Sequence, residues 1–240
     1  MLFDTLIFMI ASASGFLQSV SGFGYSVVSM STLPMLMTPV SATTISGIVG
    51  NLQSIVLSFK MRHHIRYRVL VIPLAVSILS AWTAISIMQT RPSSEYKRIL
   101  GIFLILIALY LLFFNHKIKI RANLLTGVIT GLISGAANGL FGMGGPPAVM
   151  YMMAATKNKE EYLSTIQFFF LMSGLANTAA RIWNGALTQE VMKLCLISIA
   201  GMLLGGLAGS KVFKKLSQEQ LGKFVYGFMM VMGIFIAIKG

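Results

Sequence analysis

The chain has 240 residues, 56% of them hydrophobic and only 10% charged, with a mean hydropathy of +0.81. Soluble domains carry about 25% charged residues, so this composition excludes a soluble globular protein and leaves a polytopic membrane protein. The net charge of +13 would suggest nucleic acid in a soluble chain; here the basic residues lie in short loops, where they set topology against the cytoplasmic face. With one cysteine, Cys195, no intrachain disulfide can form.

In chain order, the first half shows five apolar elements: Asp4–Val20, Tyr25–Met37, Val40–Phe59, Val69–Met88 and Ile99–Phe114. The first reads as a membrane element more than as a cleaved signal peptide. Asp4 stands before it, no basic n-region does, and Gln18, Ser19 and Ser21 follow; only Ala11-Ser12-Ala13 resembles a cleavage site. The second half repeats the series as Leu124–Leu140, Pro146–Ala155, Tyr162–Trp183, Val191–Gly209 and Phe224–Ile238. The third to fifth elements of each half are near or above the roughly 17 residues that a span needs. The second is too short, because Tyr25–Met37 would reach about 20 Å as a helix and Pro146–Ala155 about 15 Å.

Each short element follows a glycine-rich break. Gly135–Pro147 reads GAANGLFGMGGPP and Gly15–Ser26 reads GFLQSVSGFGYS. At an offset of half the 240-residue chain, Gly15 falls on Gly135, Gln18 on Asn138, Gly22 on Gly142 and Gly24 on Gly144. Glycine and proline cannot sustain a helix there, and lipid cannot satisfy the freed backbone, so each break must lie within protein or against a water-filled cavity. The expected fold is an all-α polytopic membrane protein of two repeats, residues 1–120 and 121–240, forming one transport domain. Each repeat is a broken-helix, re-entrant hairpin followed by three transmembrane helices.

Loop charges orient these repeats. If each hairpin returns the chain to its side of entry, one face carries 13 Lys and Arg and the other five, with Lys193 inside an element. If each broken pair crosses as one kinked helix, the asymmetry disappears. Positive-inside weighting therefore favours hairpins, inverted repeats and two extracytoplasmic termini, with the breaks near the midplane, where many secondary transporters hold substrate. Helix starts are expected in the stretch Arg91-Pro92-Ser93-Ser94-Glu95 and at the capping box Ser217-Gln-Glu-Gln220.

All six acidic residues fall at element ends or in loops, and the histidines His63, His64 and His116 lie in loops or at a helix end. No group at depth is suited to a proton relay, metal or cation, which argues against cation transport. The third elements carry neutral polar side chains instead, among them Asn51 and Gln53 in the first half and Gln167 and Asn177 in the second, with Arg181 as the one cation. The short helices would start at Gly24-Tyr25-Ser26 and Gly144-Gly145-Pro146, presenting free N–H groups and a partial positive charge to a small oxyanion. The candidate substrate-binding set is Gln18, Ser21, Gly22, Gly24, Tyr25, Ser26, Asn51, Gln53, Asn138, Gly142, Gly144, Gly145, Gln167, Asn177 and Arg181. Gln18 and Asn138 could instead tie down the breaks, Asn51 and Asn177 could be interhelical glue, and Arg181 could anchor a helix end beside Trp183. Gly201, Gly205 and Gly209 read as helix packing, and Phe168, Phe169 and Phe170 as packing or lipid contact.

At Gly22-Phe-Gly24 with Gln18, at Phe141-Gly-Met-Gly-Gly145-Pro-Pro and in its duplicated layout, the chain resembles the TauE/SafE family of anion permeases, the sulfite exporters, over essentially its whole length. The resemblance implies a bacterial-type inner-membrane carrier of sulfite, sulfoacetate or related small organosulfur or carboxylate anions. Pro146-Pro147 follow the glycines in this copy and restrict the backbone there. The expected function is export of such an anion by alternating access, with no cofactor, no metal and no nucleic acid. Its partners are a small anion and the bilayer, and a homo-oligomer is compatible with the sequence. Two other classes compete. A non-transporting membrane scaffold would use the glycines for packing alone. An intramembrane enzyme lacks a buried His, paired Asp, HExxH or CxxC.

Overall fold

The computed structural model describes residues 2–21, 25–90, 92–113, 121–212 and 218–239, and these form ten α-helices and no strand. In order they are α1 (Leu2–Ser21), α2 (Tyr25–Thr32), α3 (Pro39–Lys60), α4 (Tyr67–Gln89), α5 (Ser93–Phe113), α6 (Leu124–Phe141), α7 (Gly145–Ala155), α8 (Lys159–Trp183), α9 (Gln189–Val212) and α10 (Gln218–Lys239). Short 3₁₀ turns cover Leu33–Met35 and Arg62–His64. Five helices, α1, α4, α5, α6 and α9, are long and apolar enough to cross a membrane. At 25 residues α8 has the length, but its polar side chains lower its hydropathy. The two expected short elements are short. α2 has 8 residues, because Pro34 converts its continuation into the 3₁₀ turn, and α7 has 11.

Local signals set several boundaries. The Asn123 side chain accepts the Thr126 N–H at 2.9 Å while Thr126 Oγ1 accepts the Asn123 N–H at 3.0 Å, a reciprocal cap that opens α6. Asn158 Oδ1 accepts the Glu161 N–H at 2.9 Å and opens α8. α5 begins at Ser93, within the expected stretch Arg91–Glu95. The expected box at Ser217 lies outside the described residues.

The chain divides into two compact units, and each takes helices from both sequence halves. In the first unit (Met1–Val49, Arg91–Ile118 and Ala186–Gly240), α1 packs along α9 and α5 along α10. A Cβ at Gly201, Gly205 or Gly209 would run into the backbone of Phe8, Ser12 or Phe16, so the α1–α9 approach needs glycine once per turn. These three glycines are the packing residues that their spacing announces. In the second unit (Gly50–Thr90 and Lys119–Gly185), α4 packs along α6. There Gly131, Gly135 and Gly139 of α6 meet the backbone of Pro73, Ser77 and Ala81 in the same four-residue rhythm. Exchanging the two halves of the sequence turns the α1–α9 pair into the α6–α4 pair. An apolar cluster of Ile65, Leu70, Ala148, Tyr151, Met152, Ile166 and Phe169 joins α4, α7 and α8 in the second unit. Phe169 is buried in it, with Phe168 and Phe170 packed on its edge.

Candidate functional site

The break in the second unit is fully described. α6 ends at Phe141, and Gly142 adopts the left-handed conformation (φ 66°) in which a residue with a side chain is strained. Its N–H returns to the Asn138 carbonyl at 2.9 Å, and the Met143 N–H to the Ala137 carbonyl at 3.4 Å. Gly144 then passes so close to the last turns of α6 that a Cβ would meet the Ser134 carbonyl and the Asn138 Cβ. α7 opens at Gly145 with no side-chain cap, and Pro146 and Pro147 contribute no N–H to its first turn. Gly145 is half-buried, and a Cβ there would touch only the Phe170 ring, at 3.8 Å.

One face of α8 backs this break. Phe170, Gly174, Asn177 and Arg181 follow one another at steps of four, three and four residues, a single stripe on a helix. Phe170 meets the start of α7 at Gly145, and Arg181 Nη2 donates to the Gly139 carbonyl in the last turn of α6 at 2.8 Å. The stripe thus touches both sides of the interruption, with Asn177 between the two contacts. Asn177 is only 5% exposed, and neither Nδ2 nor Oδ1 finds a hydrogen-bond partner. A buried amide left unpaired costs about 1–3 kcal/mol per group, so the fold alone does not account for asparagine there. The Asn138 amide, half-buried at the end of α6, has no partner among the described residues either.

The charge at this place is cationic. Arg181 is 4% exposed whereas Trp183 is 90% exposed, so the guanidinium turns inward and the indole outward. It meets the carbonyl end of α6, where a helix carries partial negative charge, and a turn away α7 begins with its partial positive end. The ion pairs Arg66–Glu161 at 3.7 Å and Lys193–Asp4 at 3.1 Å lie elsewhere.

The other sequence candidates fall as follows. Asn51 Nδ2 donates to the Leu171 carbonyl at 3.4 Å, and its amide occupies the space a side chain at Gly174 would need. Gln167 Oε1 accepts from Ser54 Oγ at 2.9 Å, tying α3 to α8. In the first unit, Gln18 Oε1 accepts the Tyr25 N–H at 3.1 Å and so occupies the first donor of α2. Tyr25 is buried, at 1% exposure, and Ser26 is half-buried in the first turn. Gly22 and Gly24 lie outside the described residues, as do the side chains of Ser21 and Gln53. Sequence reasoning missed Ser77 and Ser134, buried hydroxyls of the α4–α6 seam without partners, and Gly174. The step of four from Phe170 and three to Asn177 was the available signal for Gly174.

The family model described as Sulfite exporter TauE/SafE matches residues 7–236. A probable membrane transporter protein of Methanocaldococcus jannaschii is 28% identical over 184 residues, covering 70% of this chain and 66% of its own length. The chain therefore spans about two thirds of that relative. No solved structure matches the chain.

Proposed function

The chain belongs to the sulfite exporter TauE/SafE family, and from that premise we propose that it is a secondary transporter of small anions. Its preferred cargo is sulfite or a sulfonate-type organosulfur anion, carried outward across the inner membrane by alternating access. The observation that carries this reading is the backing of the α6–α7 break by a buried cation and a buried, unpaired amide one helical turn apart. Cation and uncompensated donor together suit a compact oxyanion, which accepts hydrogen bonds on every face.

Direction follows from energetics. An anion leaving an inside-negative cell moves downhill by about 2.3 kcal/mol per charge per 100 mV, so no coupling proton is required. That agrees with the placement of every carboxylate at an element end or in a loop. The homologous halves 1–120 and 121–240 are proposed as inverted repeats, a reading supported by the interchange of the α1–α9 and α6–α4 pairs.

Thermal denaturation of the purified protein against sulfite, sulfoacetate, acetate and chloride tests the cargo class. At a hundredfold excess over its dissociation constant, a true cargo stabilises the folded state by about 2.7 kcal/mol, and sulfite or sulfoacetate is expected to raise Tm well above chloride. Equal Tm in all four solutions contradicts the assignment.

A further inference from the structure

The two breaks occupy equivalent places in the sequence, yet they differ where Gln18 and Tyr25 face Asn138 and Gly145. At the first, a glutamine spans seven residues to cap the α2 start, Gln18 Oε1 to Tyr25 N–H at 3.1 Å. At the second, the equivalent residue is Asn138, one methylene shorter, and its amide caps nothing. Where the first has the buried ring of Tyr25, the second has Gly145, where a Cβ would touch only the Phe170 ring. Behind the second stand Asn177 and Arg181; the third element of the first half has no Lys or Arg over residues 39–59.

We propose that the transported anion is held at the α6–α7 break by the Gly145 N–H and the Asn138 and Asn177 amides, within the field of Arg181, and that Gln18 is a positioning residue. On this inference, which rests on the transport reading above, the duplicated halves have divided their labour. Gln18 Oε1 takes the Tyr25 N–H and holds the start of α2 in place, although the buried Tyr25 hydroxyl has no partner there. The second break leaves the Asn138 and Asn177 amides without a protein partner among the described residues, and a ligand would engage their N–H groups. The occupant is a compact oxyanion, because a Cβ at Gly145 would meet only the Phe170 ring at 3.8 Å and the Gly145 N–H and the Asn138 and Asn177 Nδ2 groups are donors beside a cation.

The arrangement makes an unusual substitution diagnostic. In Asn138→Gln the added methylene lets the side chain reach the Gly145 N–H as Gln18 reaches that of Tyr25, converting the second break into a copy of the first. Gly145→Ala fills the opening without a clash, since its Cβ would lie 3.8 Å from the Phe170 ring. Sulfite flux into proteoliposomes, measured over a concentration series, should show KM raised about tenfold or more in both variants, the loss expected when a hydrogen bond to an anion is removed. Each variant should keep the wild-type elution volume and Tm without ligand. Gln18→Ala should lower Vmax and leave KM within about twofold of wild type, because its role is to hold α2 and not the anion.

KM unchanged in both Asn138→Gln and Gly145→Ala overturns the inference while leaving transport intact. A Gln18→Ala KM raised as far as that of Asn138→Gln overturns the division of labour. If Gln18→Ala does not fold, the other two variants decide alone. Absence of wild-type flux with sulfite, sulfoacetate and acetate alike overturns both this inference and the transport reading.

Discussion

Arg181 is the residue on which the local chemistry turns. Its guanidinium is buried and donates to the Gly139 carbonyl, so it holds the last turn of α6 while bringing positive charge to the break. Replacing it by methionine keeps the apolar stem and removes both the donor and the charge. Arg181→Met should cost about 1–3 kcal/mol in stability, the usual penalty for stranding a buried acceptor, read as a lower Tm in detergent. The same variant should weaken sulfite binding in the thermal assay beyond its effect on the ligand-free protein. Lys193 and Asp4 provide the contrast. Their ion pair at 3.1 Å joins side chains that remain 63% and 30% exposed, and such pairs contribute about 0–1 kcal/mol. Asp4→Asn should therefore change Tm little.

At the scale of helices, the glycine rhythms decide how closely elements approach. Gly205 faces Ser12 and Gly135 faces Ser77, backbone against backbone, once per turn along α1–α9 and α4–α6. A leucine at either place must push two helices apart, a strain of about 1–3 kcal/mol or more. Gly205→Leu and Gly135→Leu are expected to lower Tm sharply. Gly47→Ala in α3 and Gly227→Ala in α10 meet no atom within 4 Å and should be neutral or stabilising by up to about 1 kcal/mol. How much of this was legible differs between the two seams. The spacing of Gly201, Gly205 and Gly209 announces packing directly. Gly131, Gly135 and Gly139 have the same spacing, but Gly135 and Gly139 sit in the stretch whose glycines draw attention as a helix break. One run of sequence carries two signals there, and the conspicuous one hides the other.

The breaks themselves show where sequence reasoning ends. Short elements after Gly24 and Gly144 follow from glycine and proline alone, and the structure has them as α2 and α7. Whether Gln18 and Asn138 cap a helix or face a ligand does not follow from composition, because both roles use the same amide. The structure separates the two: Gln18 Oε1 accepts the Tyr25 N–H seven residues on, whereas the Asn138 amide has no partner among the described residues. Likewise Asn177 and Asn51 read alike as polar residues of third elements. One is left unpaired, and the other donates to the Leu171 carbonyl.

For the whole molecule, the apolar helices among the described residues and the match over residues 7–236 give a multi-pass membrane protein of the TauE/SafE family. Its orientation is proposed from loop charge, and each side can be checked separately. The loop holding Arg62, His63 and His64 is exposed, as is Thr90 at the end of α4. In a Cys195→Ala background, a cysteine at His63 should react with an impermeant maleimide only from the cytoplasmic side, and one at Thr90 only from outside. Labelling of both from one side would contradict the assigned topology.

The most direct test of anion transport is efflux of radiolabelled sulfite from proteoliposomes under an imposed potential. Wild-type protein should release sulfite with saturable kinetics, faster when the lumen is negative, and Arg181→Met should release it more slowly at low concentration. Efflux no faster than from protein-free vesicles, with the protein folded and inserted, would contradict the account.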